Sequence, residues 1–190
     1  ATKRIIVDSS GQPIKDTRHS LGIFAGTVQQ LDLPGLAGLR DLLSTVNGNQ
    51  ALVHGIPQQS TTPGQPLQLV TAKHYRARPG QIARTKKCFA YPDTKLLMLD
   101  VDPDPAAPYE AVSTPQDLID RITAVVPELA GLGWLATCST SSAIRSKATG
   151  EWLKPPSGMH VYFLARGDVD QFVKTMKVRL WRAGLGFCKL

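Results

Sequence analysis

The chain has 190 residues, of which 42% are hydrophobic and 19% are charged, so it can bury a core and is unlike a disordered protein. No run approaches the roughly 18 uninterrupted apolar residues of a membrane-spanning helix, and we expect no membrane partner. Lys and Arg number 22 against 15 Asp and Glu, and the formal net charge of +7 favours an anionic partner, nucleic acid first.

The cysteines exclude two further classes of protein. Cys88, Cys138 and Cys188 lie far apart and form no CxxC pair. This spacing predicts neither a disulfide framework nor a zinc knuckle, and it favours a reducing, cytoplasmic location.

The first third of the chain predicts a small α/β unit. We expect strands at residues 21–27 and 50–56, and a helix at 36–43 that begins after Pro34. Residues 58–66 are rich in turn-forming types and predict a boundary. The chain would then divide into an N-terminal α/β subregion at 1–66 and a second subregion at 67–190.

The second subregion predicts the order β-α-β-β-α. Strands are expected at 95–101, 134–138 and 160–165, with a polar loop before the third. Thr114 should cap the first helix and Asp168 the second, which Gly184 should end. Residues 186–190 would open a fourth strand. The predicted class is therefore α+β, with a ferredoxin-like (RRM-like) βαββαβ module that stops before its last strand is complete.

Charge alternates along the chain. Residues 71–92 carry six basic side chains and no acid, residues 93–120 carry seven acids against one Lys, and basic residues return from Arg145 onward. This layout fits phosphate-binding surfaces on either side of a metal centre. Solvated faces that happen to segregate by charge are the alternative.

The strongest local motif is Asp100-Val101-Asp102 at the end of the predicted strand 95–101. Because side chains alternate along a strand, both carboxylates should project from one face, about 7 Å apart, with Leu97 and Leu99 in the core. Such a pair suits Mg²⁺ or Mn²⁺ bound together with a nucleoside triphosphate. A strand that merely ends in a polar Asp-Pro turn is the competing interpretation.

Two weaker motifs follow. His160 enters an apolar strand after Ser157-Gly158, where a small residue lets a phosphate approach the backbone and an imidazole can donate to it. A serine-rich strand end that includes Ser141 precedes a basic loop. A structural histidine and a plain turn are the ordinary alternatives.

The order of these motifs resembles the archaeo-eukaryotic primase superfamily, and looks most like the primase-polymerases of plasmids, phages and mobile elements. The resemblance covers residues 84–167, and the first 70 residues carry no matching motif. It implies the primase fold and template-directed nucleotidyl transfer in DNA replication. The implied partners are a single-stranded DNA template, nucleoside triphosphates and a helicase or another replication protein.

The resemblance also implies roles for individual residues. Asp100 and Asp102 would hold the catalytic Mg²⁺ or Mn²⁺. Nucleotide contacts are expected from one set of residues: His160, Ser157, Gly158, Ser141, Lys147, Lys154 and Arg84. Nucleic acid would be bound by a second set: Lys73, Arg76, Arg78, Lys86 and Lys87.

One family feature is not found in this sequence. The family carries a third Asp on a later strand, whereas Asp168 and Asp170 fall where the second helix should begin and are expected to lie at its start. We therefore expect the 190 residues to be a fragment that ends before its last catalytic residue. A non-catalytic replication initiator or nucleic-acid-binding module of the same fold is the alternative. A metal-dependent nuclease with the same Asp pair is a third hypothesis.

Overall fold

The chain folds as a mixed α+β protein with several small sheets. The structure, a computed structural model, describes residues 2–21, 25–47, 49–58, 65–101, 114–139, 142–154 and 158–185. Two compact units are formed, Ala1–Ile6 with Ile14–Thr94, and Val7–Pro13 with Lys95–Leu190. The boundary predicted at residue 66 falls inside the first unit. The strand expected at 186–190 lies outside the described residues.

The N-terminal half contains short strands and one helix. Helix α1 spans Gly35–Thr45. In chain order the strands are β1 (Thr2–Val7), β2 (Pro13–Leu21), β3 (Gly26–Val28), β4 (Ile56–Pro57), β5 (Leu67–Val70), β6 (Gln81–Ala83) and β7 (Phe89–Ala90). These strands pair as β1–β2, β3–β5–β6 and β4–β7.

The sequence predicted the helix of this half but not its strands. Helix α1 confirms the helix expected at 36–43. The strand expected at 21–27 is wrong, because residue 21 ends β2 and a separate strand begins at residue 26. The strand expected at 50–56 is also wrong, because residues 50–55 are irregular and only Ile56–Pro57 pairs. Strands of two or three residues are too short to show an alternating pattern, and their partners define them.

The second half follows the predicted order, with one addition. Its elements are β8 (Thr94–Val101), α2 (Pro115–Val125), β9 (Trp134–Cys138), β10 (Ile144–Arg145), β11 (Trp152–Lys154), β12 (Met159–Arg166) and α3 (Val169–Arg182). The expected polar loop before β12 is in fact a hairpin of β10 and β11. The main sheet has the order β8–β12–β9, so the third strand lies between the two strands that α2 connects.

Local capping fixes the helix starts as predicted. The Thr114 side chain accepts a hydrogen bond of 3.1 Å from the backbone N–H of Asp117, and Pro115 occupies the first turn. The Asp168 side chain accepts one of 3.0 Å from the backbone N–H of Gln171. Each cap satisfies an N–H group that the helix itself leaves without a partner.

The core of the second unit lies between its sheet and its helices. Val161 and Phe163 of β12 are fully buried and pack with α2 and α3. The contributing buried residues are Leu97, Leu118, Ile119, Ile122, Val126, Leu129, Met159, Val161, Phe163 and Met176. Both helices therefore pack with the same face of the sheet, and alternation directs the intervening side chains to the other face.

A separate, smaller core holds the first unit. It joins buried residues of β5, β6 and β7, among them Leu69, Ile82 and Phe89, with Cys88 from the 3₁₀ turn Lys86–Cys88. Across the parts of the chain that the structure describes, no helix has the length and apolar character needed to cross a bilayer.

Candidate functional site

Strand β8 places Asp100 on the sheet face away from the helices. Leu97 is buried and Leu99 and Val101 pack against the core, whereas Met98 and Asp100 are exposed. The Asp100 carboxylate is 62% exposed, so its oxygens are open to a ligand. The predicted orientation is confirmed for Asp100, and Asp102 lies outside the described residues.

The fold brings His160 next to this carboxylate. Strand β12 is the neighbour of β8, and Nε2 of His160 lies 3.3 Å from Oδ1 of Asp100. The histidine side chain is 24% exposed, and its ring meets the Tyr162 ring edge-on, with 6.4 Å between centroids. Two residues that the sequence assigned to different motifs therefore share one site.

The same face extends to the third strand of the sheet. His160 is the register partner of Thr137 on β9. Directly opposed residues of an antiparallel pair point to the same face, so Asp100, His160 and Thr137 form a row across the sheet. Thr137 and Tyr162 were not predicted from the sequence. The pairing of β9 with β12 is the signal that would have indicated Thr137.

The loop before His160 is anchored by hydrogen bonds. The Gly158 carbonyl accepts from the backbone N–H of Ser139 at 2.9 Å and from the Ser142 hydroxyl at 3.0 Å, and all three residues are buried. Gly158 thus fixes the turn that leads into β12. Ser141 and Ser157, two further predicted nucleotide contacts, lie outside the described residues.

The two candidate lysines belong to the β10–β11 hairpin. Lys147 is exposed in its turn, and Lys154 is half-buried on β11 opposite Ile144. The Arg145 guanidinium lies 3.9 Å above the ring of Trp152, a cation–π contact that stiffens the hairpin. The hairpin connects the end of β9 at Cys138 to the start of β12 at Met159, and these two residues are register partners. His160 and Thr137 form the next pair, so the hairpin begins one residue away from them in each strand.

The later acids lie at the start of α3, as the sequence predicted. Asp168 caps the helix and Asp170 is exposed in its first turn. Among the residues with a described placement, no three His, Cys, Asp or Glu side chains are grouped to hold a metal ion. The Asp100 carboxylate is exposed and lies beside His160.

The predicted nucleic-acid-binding residues belong to the first unit, whereas Asp100 and His160 belong to the second. All six basic side chains of residues 71–92 are exposed: Lys73, Arg76, Arg78, Arg84, Lys86 and Lys87. Arg76 also donates to the carbonyls of Lys73 and Tyr75.

Comparison of the chain with models of protein families, with curated proteins and with solved structures found no match.

Proposed function

We propose that this protein is the catalytic domain of a DNA primase or primase-polymerase, which joins nucleotides on a single-stranded template. The observation that carries the proposal is the contact between Asp100 and His160. A triphosphate with its metal ion would need a carboxylate and a phosphate-binding group within reach of one another, and these two side chains are 3.3 Å apart on neighbouring strands.

The sheet order supports the proposed fold. In a βαββαβ module of the ferredoxin type, the third strand lies between the first two, as β12 lies between β8 and β9. We propose that this module is the catalytic half of a primase fold. One sheet face is packed with the helices, and on the other face Asp100 and Met98 are exposed to a substrate.

The donor types at the site fit a hard divalent cation. Asp100, together with Asp102 two residues further along, would hold Mg²⁺ or Mn²⁺, because both ions prefer carboxylate oxygens. When bound, the ion neutralises charge on the triphosphate and on the reacting phosphorus.

The side chains of the site would bind and orient the nucleotide. His160 donates from its imidazole to a phosphate oxygen, and Lys147 or Lys154 adds positive charge from the adjacent hairpin. The template and primer would be held through Lys and Arg contacts. Positioning and charge neutralisation carry this chemistry, so the protein needs no covalent intermediate.

Calorimetric titration with a nucleoside triphosphate and Mn²⁺ tests the proposal. The wild-type chain is compared with Asp100→Asn and His160→Ala, and Asp120→Asn on α2 serves as a matched control on an exposed acid. We expect binding that needs the metal, does not depend on the base, and weakens in the first two variants alone. Equal binding by Asp100→Asn and wild type would overturn the proposal.

A non-catalytic replication initiator or nucleic-acid-binding module is the second candidate. It is favoured by the engagement of Asp168 as a helix cap and by the exposed basic side chains of the first unit. This candidate predicts salt-sensitive binding of single-stranded DNA by a folded chain that binds no triphosphate at any Mn²⁺ concentration.

A further inference from the structure

We propose that a groove in the first unit binds single-stranded nucleic acid by stacking a base on Tyr91 and pairing phosphates with Arg84 and Lys86. This inference deepens the proposed function and rests on its single-strand binding, for which it names a groove in the unit that does not contain Asp100 and His160. It also gives Arg84 a different partner from the triphosphate that the sequence predicts.

The groove has the size of a small-ligand site and carries positive charge. Its volume is about 300 Å³, at the lower end of the volumes typical of small-ligand pockets. It is lined by Leu52, Val53, His54, Arg84, Thr85, Lys86, Phe89 and Tyr91. Two of these described lining residues are cations and none is an acid, so the groove attracts anions.

An aromatic platform forms one wall. The rings of His54 and Tyr91 are stacked, with 5.6 Å between centroids and 15° between planes. Tyr91 is nevertheless 53% exposed, so the residue is accessible to a ligand. Nucleobases stack on such rings with little regard to sequence, because every base has a π-face.

The backbone holds the platform in place. Strand β4 runs antiparallel to β7, with Ile56 opposite Ala90. His54 lies just before β4 and Tyr91 just after β7, so this pairing brings the two rings together. Gly55, which separates His54 from Ile56 in the chain, has φ +124°. A Cβ at this position would lie 3.0 Å from Cβ of Phe89 and 3.2 Å from the carbonyl oxygen of Ala90. Only glycine fits this close approach without strain.

The basic side chains reach the groove from the chain between β6 and β7. Thr85 donates its hydroxyl to the Cys88 thiol at 3.3 Å and accepts a backbone hydrogen bond from Cys88 at 3.0 Å. This turn is fixed to the core through Cys88, while Arg84 and Lys86 remain exposed on it. Their charges are therefore presented from an ordered segment.

Further basic side chains follow the strand next to the one that precedes Arg84. Strands β5 and β6 are parallel, with Val70 opposite Ala83, so the segments that follow them leave the same end of the sheet. One of these segments starts the loop that carries Lys73 and Arg76, and the other carries Arg84. A single-stranded nucleic acid whose base occupies the groove would find further phosphate contacts with these Lys and Arg side chains.

Fluorescence anisotropy with a labelled oligothymidine single strand tests the groove in the 190-residue chain. Tyr91→Ala should weaken binding by about 5-fold or more, whereas Tyr91→Phe, which keeps the ring, should bind like wild type. Arg84→Ala with Lys86→Ala should lower the slope of log affinity against log salt by about 1.4, at about 0.7 per phosphate contact.

A matched control separates the groove from net charge. Lys174→Ala with Lys177→Ala removes the same charge from exposed positions of α3 and should leave the salt slope unchanged. Wild-type affinity in a Tyr91→Ala chain with unchanged circular dichroism and Tm would overturn the inference. So would equal losses in the groove and control double variants.

The result does not depend on the metal site. If triphosphate binding fails while Tyr91→Ala still weakens single-strand binding, the groove stands and the proposed catalytic function falls. If triphosphate binding needs Asp100 while Tyr91→Ala leaves single-strand binding unchanged, the proposed catalytic function stands and the groove falls.

Discussion

Nε2 of His160 lies 3.3 Å from Oδ1 of Asp100, although the two residues belong to motifs that are far apart in the sequence. The contact places both groups where one ligand can touch them together.

We therefore predict that Asp100→Asn and His160→Ala are not additive in Mn²⁺-dependent triphosphate binding. Residues in direct contact show coupling of about 0.5–3 kcal/mol in double-mutant cycles. The measurement is calorimetric affinity for the wild type, both single variants and the double variant. In the control cycle, His160→Ala is combined with Asp120→Asn, an exposed position on α2, and the two effects should be additive. If Asp100→Asn and His160→Ala were additive as well, a shared site would be contradicted.

Burial on β12 predicts opposite outcomes for two neighbouring residues. Phe163 is fully buried between the sheet and the helices, whereas Leu164 is 39% exposed. Phe163→Ala should lower the free energy of unfolding by about 3–5 kcal/mol, because it opens a cavity. Leu164→Ala should cost far less. Urea denaturation followed by circular dichroism measures both, and similar costs would show that the face assignment is incorrect.

Removing the α2 cap should destabilise the chain. Thr114→Ala deletes the acceptor for the backbone N–H of Asp117 and should cost about 1 kcal/mol. Thr114→Ser keeps a hydroxyl oxygen and should retain most of the stability. Thermal unfolding of the two variants checks this prediction, which fails if Ser and Ala at this position give the same Tm.

The contact between Glu128 and Arg179 predicts a pH dependence. Nη1 of Arg179 lies 2.7 and 2.8 Å from the two carboxylate oxygens of Glu128, and these hydrogen bonds lower the pKa of Glu128 from its ordinary 4.5. A lowered pKa stabilises the folded chain above pH 4.5, and the contribution is lost as the pH falls through the folded value.

Glu128→Gln should therefore lower Tm slightly at pH 7, and its difference from wild type should shrink as the pH falls below 4.5. The effect should be small and sensitive to salt, because both side chains are exposed. Arg179→Gln should give the same Tm difference from wild type, and the double variant should lower Tm no further than either single variant. A Tm difference that stays constant from pH 7 to pH 3 would contradict the assignment.

Local rules predicted the second half of the chain well because each signal is contained within a few residues. The run of apolar residues at 95–101 indicated β8, and Thr114 with Pro115 marked the start of α2. The first half gave weaker signals. Strands β4 and β7 have two residues each, and such strands form only because a partner supplies their hydrogen bonds.

For the candidate site, the sequence alone identified Asp100 and His160 and the face to which Asp100 points, since alternation along a strand is a local property. Only the tertiary structure decided that β12 lies next to β8, that Thr137 joins the same row, and that His54 stacks on Tyr91. Those relationships depend on which strands pair and in which register, and pairing is settled by the burial of whole faces rather than by neighbouring residues.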